Sequence, residues 1–249
     1  DLETIRETLI NRRTAILNIT TGDWKKCEPV ASSLLASLPD REAEITRWQF
    51  PPTDRVEALT IPSQVNYIGK ALNLFDSGYR FSGSSVVVTR YLRNSWLWDR
   101  IRVQGGAYGA FCTLDRFSGI LTFLSYRDPQ VARTIEAFDG TAGYLRALRL
   151  DERELTKGII GAIGDMDAYM LPDAKGFTSL VRHLTGDDEA LRQKVRDEIL
   201  GTENRHFREF GDVLADAVGR GITAALGSAD SLRNHLAGDH GTVTEIKVL

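Results

Sequence analysis

Arg102 and Tyr108 stand six residues apart on either side of Gly105-Gly106, in the run Trp96-Leu97-Trp98-Asp99-Arg100-Ile101-Arg102-Val103-Gln104-Gly105-Gly106-Ala107-Tyr108-Gly109. Both side chains are long and end in hydrogen-bond donors, a guanidinium and a phenol. Glycine has no Cβ, so two in succession let another backbone come close. A ligand chain lying over Gly105, Gly106 and Ala107 would fall within reach of both tips. The same residues also describe a plain helix-to-strand turn with a core tyrosine, and the pattern alone leaves both readings open.

The remaining candidates for chemistry are incomplete. None of His183, His206, His235 and His240 sits in His-Glu-x-x-His or its inverse. His235 and His240, with Asp239 between them, are read as solvated loop residues before an ion site. Gly83-Ser84-Ser85 lacks the second glycine of a nucleophile elbow, and its serines fit the start of a helix. Gly105-Gly106-x-x-Gly109 resembles a phosphate-binding loop, but it follows a helix and precedes a strand, the reverse of the dinucleotide order. Gly158, Gly161 and Gly164 form a small-residue stripe that suits close helix packing. Asp165, Asp167, Asp187 and Asp188 read as caps or solvated faces. Cys27 and Cys112, the only cysteines, lack metal or redox spacing and read as reduced structural thiols. No metal site is assigned in this chain.

Composition narrows the class. The 249 residues carry a net charge of −3, which argues against a nucleic-acid partner. No apolar run approaches the ~20 residues of a membrane span. No signal peptide opens the chain, and the start at Asp1 suggests a processed protein or an excised piece of a longer one.

The elements that must position Arg102 and Tyr108 follow from periodicity. Residues 2–11 have helical spacing, 14–20 alternate like a strand, and Asp23 is placed to cap a helix over 24–38. Residues 39–56 read as a surface linker. A strand pattern runs from Glu57 towards Leu72, and a helix apolar nearly all round covers 84–101. Two strands, 107–114 and 120–126, make a hairpin. Asp128-Pro129 opens a helix reaching Leu145, and Asp151 caps another. Three helices follow over 174–185, 188–200 and 203–219, then a strand at 222–226, a helix at 230–236 and a strand at 243–249. Helices in runs and hairpin-joined strands predict an α+β fold, a mixed and largely antiparallel sheet covered by helices.

The Trp96–Gly109 run closely resembles the C-terminal half of pitrilysin-type zinc metallopeptidases, the inverted-motif family that includes insulysin, in its presequence-protease branch. Gln64-Val65-Asn66-Tyr67-Ile68-Gly69-Lys70, Leu124-Ser125-Tyr126-Arg127-Asp128-Pro129 and Leu171-Pro172-Asp173-Ala174-Lys175-Gly176 agree with that branch. The resemblance covers residues 14 to 235 or so. It implies that residues 1–249 are one C-terminal domain, with 1–13 as a lead-in helix, lacking the domain that carries the zinc motif. Family members are built from four related domains in two bowl-shaped halves that close around an unfolded peptide. By motif match, Arg102 and Tyr108 are the pair that completes the active site from the C-terminal half, with Gly105, Gly106 and Ala107 against the substrate. Zn2+ would then belong to the full-length enzyme, and the N-terminal catalytic half and a peptide would be the partners. The isolated chain is expected to be inactive and able to self-associate. Its compartment would be the cytoplasm in a bacterium or an organelle matrix in a eukaryote. The alternative implied by the same resemblance is a non-catalytic structural or substrate-presenting subunit.

Overall fold

A computed structural model describes residues 2–42, 49, 56–236 and 243–247, with side chains through residue 233. Contacts divide the chain into two units. One comprises Asp1–Pro51 with Ala168–Leu191, the other Pro52–Asp167 with Arg192–Leu249.

The first unit holds α1 (Leu2–Leu9), α2 (Trp24–Ser37) and α7 (Pro172–Thr185). The strand expected over residues 14–20 does not form. A strand needs a ladder partner for its backbone groups, and the sheet lies in the other unit among the described residues. The segment instead runs beside α7. The Asn18 side-chain amide donates to the Gly176 carbonyl at 3.1 Å, and the Thr20 side chain occupies the space a Cβ on Gly176 would need. Asp23 precedes α2 as expected, but its carboxylate makes no cap bond and pairs with Lys26 at 3.1 Å. Of the linker expected over 39–56, residues 43–48 and 50–55 lie outside the described residues.

The second unit is an α+β layer structure, as the sequence predicts. Its strands are β1 (Val56–Thr60), β2 (Asn66–Asn73), β3 (Gly109–Leu114), β4 (Ile120–Asp128), β5 (Ile222–Gly227) and β6 (Val243–Lys247). They form one sheet in the order β3-β4-β2-β5-β1-β6. The β3/β4, β4/β2 and β2/β5 pairs are antiparallel, while β1 pairs with β5 and β6 in parallel. The single strand expected from Glu57 to Leu72 is therefore two, interrupted near Pro62, with β5 inserted between them.

Strand alternation sorts the side chains. Ile68 and Leu72 of β2, Cys112 of β3, and Leu121 and Phe123 of β4 are buried on one face. They form a core with Val87, Val88 and Leu92 of α3 (Ser84–Asn94) and Phe138 of α4 (Val131–Asp139). The Phe123 and Phe138 rings stack at 5.3 Å. Outside this layer lie α5 (Thr141–Ala147), α6 (Glu152–Met166), α8 (Glu189–Leu200, which begins in the first unit) and α9 (Asn204–Ala217), while α10 (Ala229–Leu236) contacts β1 and β5.

Several local expectations resolve here. Asp151 caps α6 by accepting from the Glu154 N–H at 2.7 Å. Glu203 and His206 form a reciprocal capping box on α9, with His206 Nδ1 accepting from the Glu203 N–H at 2.9 Å. That gives His206 a structural role. Ser84 donates its hydroxyl to the Glu198 carbonyl, and the Glu198 carboxylate accepts from the Gly83 N–H at 2.6 Å, so the α3 start is fastened by a carboxylate. Of the glycine stripe on α6, Gly158 faces Val87 and Gly161 faces Arg90 on α3, whereas Gly164 faces open space. Close packing thus explains the first two only.

Candidate functional site

The helix expected over 84–101 does not run straight through. After α3 ends at Asn94, residues Trp98–Val103 wind as a π-helical turn, with the Gln104 N–H donating to the Asp99 carbonyl at 2.9 Å. Such turns widen the helix by one residue per turn and recur at functional sites. The turn closes on the glycines. The Gly106 N–H donates to the Arg102 carbonyl at 3.0 Å and the Ala107 N–H to the Ile101 carbonyl at 3.1 Å. A Cβ on Gly105 would lie 2.5 Å from the Ile101 oxygen, and Gly106 sits at φ +79°. One glycine is needed for a close approach of the chain to itself, the other for a left-handed bend.

Within the turn the tryptophans divide two tasks. Trp96 donates its indole N–H to the Ala137 carbonyl at 2.9 Å and stacks on Tyr144 at 4.6 Å, anchoring the turn to α4 and α5. Trp98 is 42% exposed, and the Arg102 guanidinium lies 4.0 Å above its ring. A cation over an indole face keeps its charge near the surface in a preferred orientation. Arg102 is therefore exposed yet held.

Tyr108 is 66% exposed, so the core-tyrosine reading fails. Its residue precedes β3, which starts at Gly109 rather than at Ala107. The Tyr108 N–H donates to the Tyr126 carbonyl at 3.0 Å and reaches that of Arg127 at 3.4 Å. Its ring meets Tyr126 edge-on at 5.7 Å, and Tyr126 meets Tyr67 at 5.4 Å. Arg127 has φ +50°, the left-handed region, alone among the described non-glycine residues. Left-handed backbone costs an ordinary residue ~1–2 kcal/mol. Asp128 holds the bend: it is fully buried and accepts from the Gln130 N–H at 2.7 Å and the Thr134 hydroxyl at 2.6 Å, while its carbonyl accepts from Asn66. Held strain of this kind concentrates at functional sites.

Tyr108 and Arg127 stand at one end of the sheet face opposite the α3/α4 core. Across that face the register gives two rows. One is Tyr67, Leu226 and Leu59, with the Tyr126 ring against Tyr67 where the β2/β4 register shifts; the other is Phe111, Leu124, Gly69, Ala224, Glu57 and Thr244. Phe111 and Leu124 are 44% and 42% exposed. All residues of the two rows except Glu57 and Thr244 line an almost wholly apolar concavity of about 380 Å³, with Leu124 lying over Gly69.

The model of the PreP C-terminal domain matches residues 56–226. The chain belongs to the PreP C-terminal domain family. It is 44% identical over 235 residues to "Presequence protease 1, chloroplastic/mitochondrial" of Arabidopsis thaliana, covering 93% of this chain and 22% of that one. It is 27% identical over 236 residues to "Protein HypA" of Clostridium perfringens, covering 94% and 24%. The chain thus spans about a quarter or less of the length of these relatives. The crystal structure of pitrilysin superposes with TM-score 0.58 at 15% identity, covering 90% of this chain and 25% of that one. A protease from Helicobacter pylori gives 0.57 at 14%, covering 82% and 52%. These likenesses show a shared fold. The presequence-protease branch of the pitrilysin-type family, named from the sequence motifs, is the right one.

Among the described residues no group of three or more His, Cys, Asp or Glu side chains is placed to hold a metal ion. The zinc implied by the family resemblance does not fit the described part of this chain and would have to be held outside it. His240 and Asp239 lie outside the described residues, as does the His235 side chain. No helix among the described residues is long and apolar enough to cross a membrane.

The fold brings Arg102, Gly105, Gly106, Ala107 and Tyr108 onto one connection between α3 and β3, as their closeness in sequence requires. Gly106 is exposed, whereas Gly105 and Ala107 are buried. Sequence reasoning missed Trp98 as the platform for Arg102, the strained Arg127, and the apolar face with Tyr67 and Tyr126. A signal for the last was present: β4 places apolar residues at Leu121 and Phe123 and also at Leu124 and Tyr126, so neither face of the strand is polar.

Proposed function

We propose that this chain is the C-terminal, substrate-binding domain of a zinc metalloendopeptidase that degrades unfolded, presequence-like oligopeptides. In this reading Arg102 and Tyr108 act on a peptide carbonyl, and the zinc motif belongs to an N-terminal catalytic half of the same protein. The chain alone would be inactive. Its compartment would be an organelle matrix or a bacterial cytoplasm.

The observation that carries the reading is the exposed pair itself. Arg102 rests on Trp98 and Tyr108 rests on Tyr126, with neither tip spent on the core. A guanidinium stays charged at any working pH, and a phenol donates a hydrogen bond without needing to ionise. Both suit an oxygen that gains negative charge as a peptide bond is attacked. Gly105, Gly106 and Ala107 set the spacing of the pair, and of the three Gly106 is the one exposed beside it.

The test is Tyr108→Phe and Arg102→Gln in the full-length protein, with a peptide substrate. Loss of one oxyanion donor lowers kcat by roughly 100- to 1,000-fold. A kcat/KM within about threefold of the parent, far short of that loss, refutes the assignment.

A further inference from the structure

Trp96 and Trp98 each stand four residues before an arginine, Arg100 and Arg102, a spacing that sets an indole beside a guanidinium on a helical face. The two pairs are used differently. Arg100 lies 4.8 Å from the Trp96 ring centre, and one of its N–H groups donates to the Gln104 side-chain oxygen at 3.4 Å. Trp96 itself is the anchor, held by Ala137 and Tyr144. Arg102 lies closer, 4.0 Å above the Trp98 ring, and makes no hydrogen bond or ion pair from its side chain among the described residues. Core packing does not account for Trp98. It lies outside the buried cluster, and its indole N–H has no partner among the described residues.

What matters is the part of the guanidinium that the indole occupies. A ring takes the flat face, whereas the N–H donors point outward in the guanidinium plane. Carboxylates take the donors instead. Asp165 accepts from Arg90 at 2.9 Å, Asp212 from Arg146 at 2.6 Å and Asp167 from Arg196 at 2.8 Å. Asp99 stands three residues before Arg102 in the same turn, the spacing at which Asp23 pairs with Lys26, yet no ion pair joins Asp99 to Arg102 among the described residues. Arg102 is thus held in a way that leaves its donors open.

We propose that Trp98 is a positioning residue for Arg102, holding the guanidinium by its face so that its N–H edge meets the peptide carbonyl as negative charge develops there. It rests on the oxyanion reading above and adds a residue that acts through Arg102 rather than on the substrate. A freely rotating arginine must be immobilised as the transition state forms. One already resting on a ring loses less freedom at that step. The gain therefore falls on the chemical step rather than on substrate binding.

The experiment compares Trp98→Phe, Trp98→Leu, Arg102→Gln and the double variant W98L/R102Q in the full-length protein, on one peptide substrate. Phenylalanine keeps a ring face for the cation, whereas leucine keeps apolar bulk without one. Trp98→Met is a second variant without a face, and urea midpoints show which variants fold. Trp98→Leu is expected to lower kcat by about three- to tenfold with KM unchanged, the value of immobilising one such side chain. Trp98→Phe is expected to recover most of that loss. With glutamine at position 102, Trp98→Leu is expected to change kcat by less than about twofold, because the group it positions is gone.

A kcat within about twofold of the parent in folded Trp98→Leu or Trp98→Met overturns the proposal. So does a phenylalanine variant as slow as the leucine one, a loss confined to KM, or an equal loss with and without Arg102, since Trp98 would then only support the turn. The two readings fail separately. If Arg102→Gln keeps kcat/KM within about threefold of the parent, the oxyanion reading falls and this one with it. If Arg102→Gln loses about 100-fold and Trp98→Leu loses nothing, only the role of Trp98 falls.

Discussion

Replacing Gly105, Gly106 and Gly164 by alanine, one at a time, separates three physical roles of glycine in one chain. At Gly105 the new Cβ would sit 2.5 Å from the Ile101 carbonyl oxygen and 3.1 Å from that of Arg100. Ordinary contact begins near 3.4 Å, so main chain must retreat by roughly 1 Å against a buried turn. Overpacking of this kind costs about 1–3 kcal/mol. At Gly106 there is room, since the nearest atom is Pro129 Cγ at 3.6 Å, but φ is +79°. The expected loss is the conformational one alone, about 1–2 kcal/mol. Gly164 lies in α6 with nothing within 4 Å, so alanine should stabilise by about 0.5–1 kcal/mol through helix propensity. Urea denaturation gives all three, with equal m-values showing that the unfolded state is unchanged. If Gly105→Ala costs less than about 0.5 kcal/mol, well under the overpacking range, the π-helical turn does not close as described. The spacing of Arg102 and Tyr108 would then be set elsewhere.

Three further outcomes follow from named contacts. Asp128→Ala removes the acceptor of the Gln130 N–H and the Thr134 hydroxyl in a buried setting, and should cost about 1–3 kcal/mol by urea denaturation; a neutral result would mean that another group holds the α4 start. In the β3–β4 turn, the Ser118 hydroxyl and the Phe117 N–H donate to Asp115 and hold its carboxyl below the usual range. A lowered folded-state value gives stability that is present above ~3.9, the unfolded value, and lost as pH falls through the folded one. Asp115→Asn should therefore lower the urea midpoint at pH 7, and the gap should shrink towards pH ~2.5; a constant gap refutes the cause. Burial pushes the Cys112 thiol well up, while Cys27 is half-buried. A maleimide should label Cys27 in the folded chain and Cys112 only after unfolding, checked by mass spectrometry of tryptic peptides.

How much of this was legible beforehand depends on the range of the interactions. Asp151 and the residues of α9 reveal their helices because caps and apolar spacing are set within a few residues. The hairpin of β3 and β4 was legible for the same reason, since Asp115 to Gly119 is short and turn-forming. Residues 14–20 misled because alternation reports only that a segment fits a pleated surface, and no strand forms among the described residues of its own unit. The Glu57–Leu72 segment misled because β5, over 150 residues later, inserts between its two halves. Nothing local could announce that.

By itself the sequence determined the α+β class and the family, because each rests on local pattern or on motif. It also singled out Gly105 and Gly106, between Arg102 and Tyr108, as a place where the backbone bends or comes close. Only the tertiary structure decided why. Gly105 yields to the chain's own carbonyls and Gly106 takes a left-handed bend. Trp98 carries the arginine, and Tyr126 carries the tyrosine. The apolar face beside them joins residues of β1, β2, β3, β4 and β5, distant in the chain and neighbours only through the sheet register. Alternation tells which residues of a strand share a face; which strands lie side by side is a property of the whole fold.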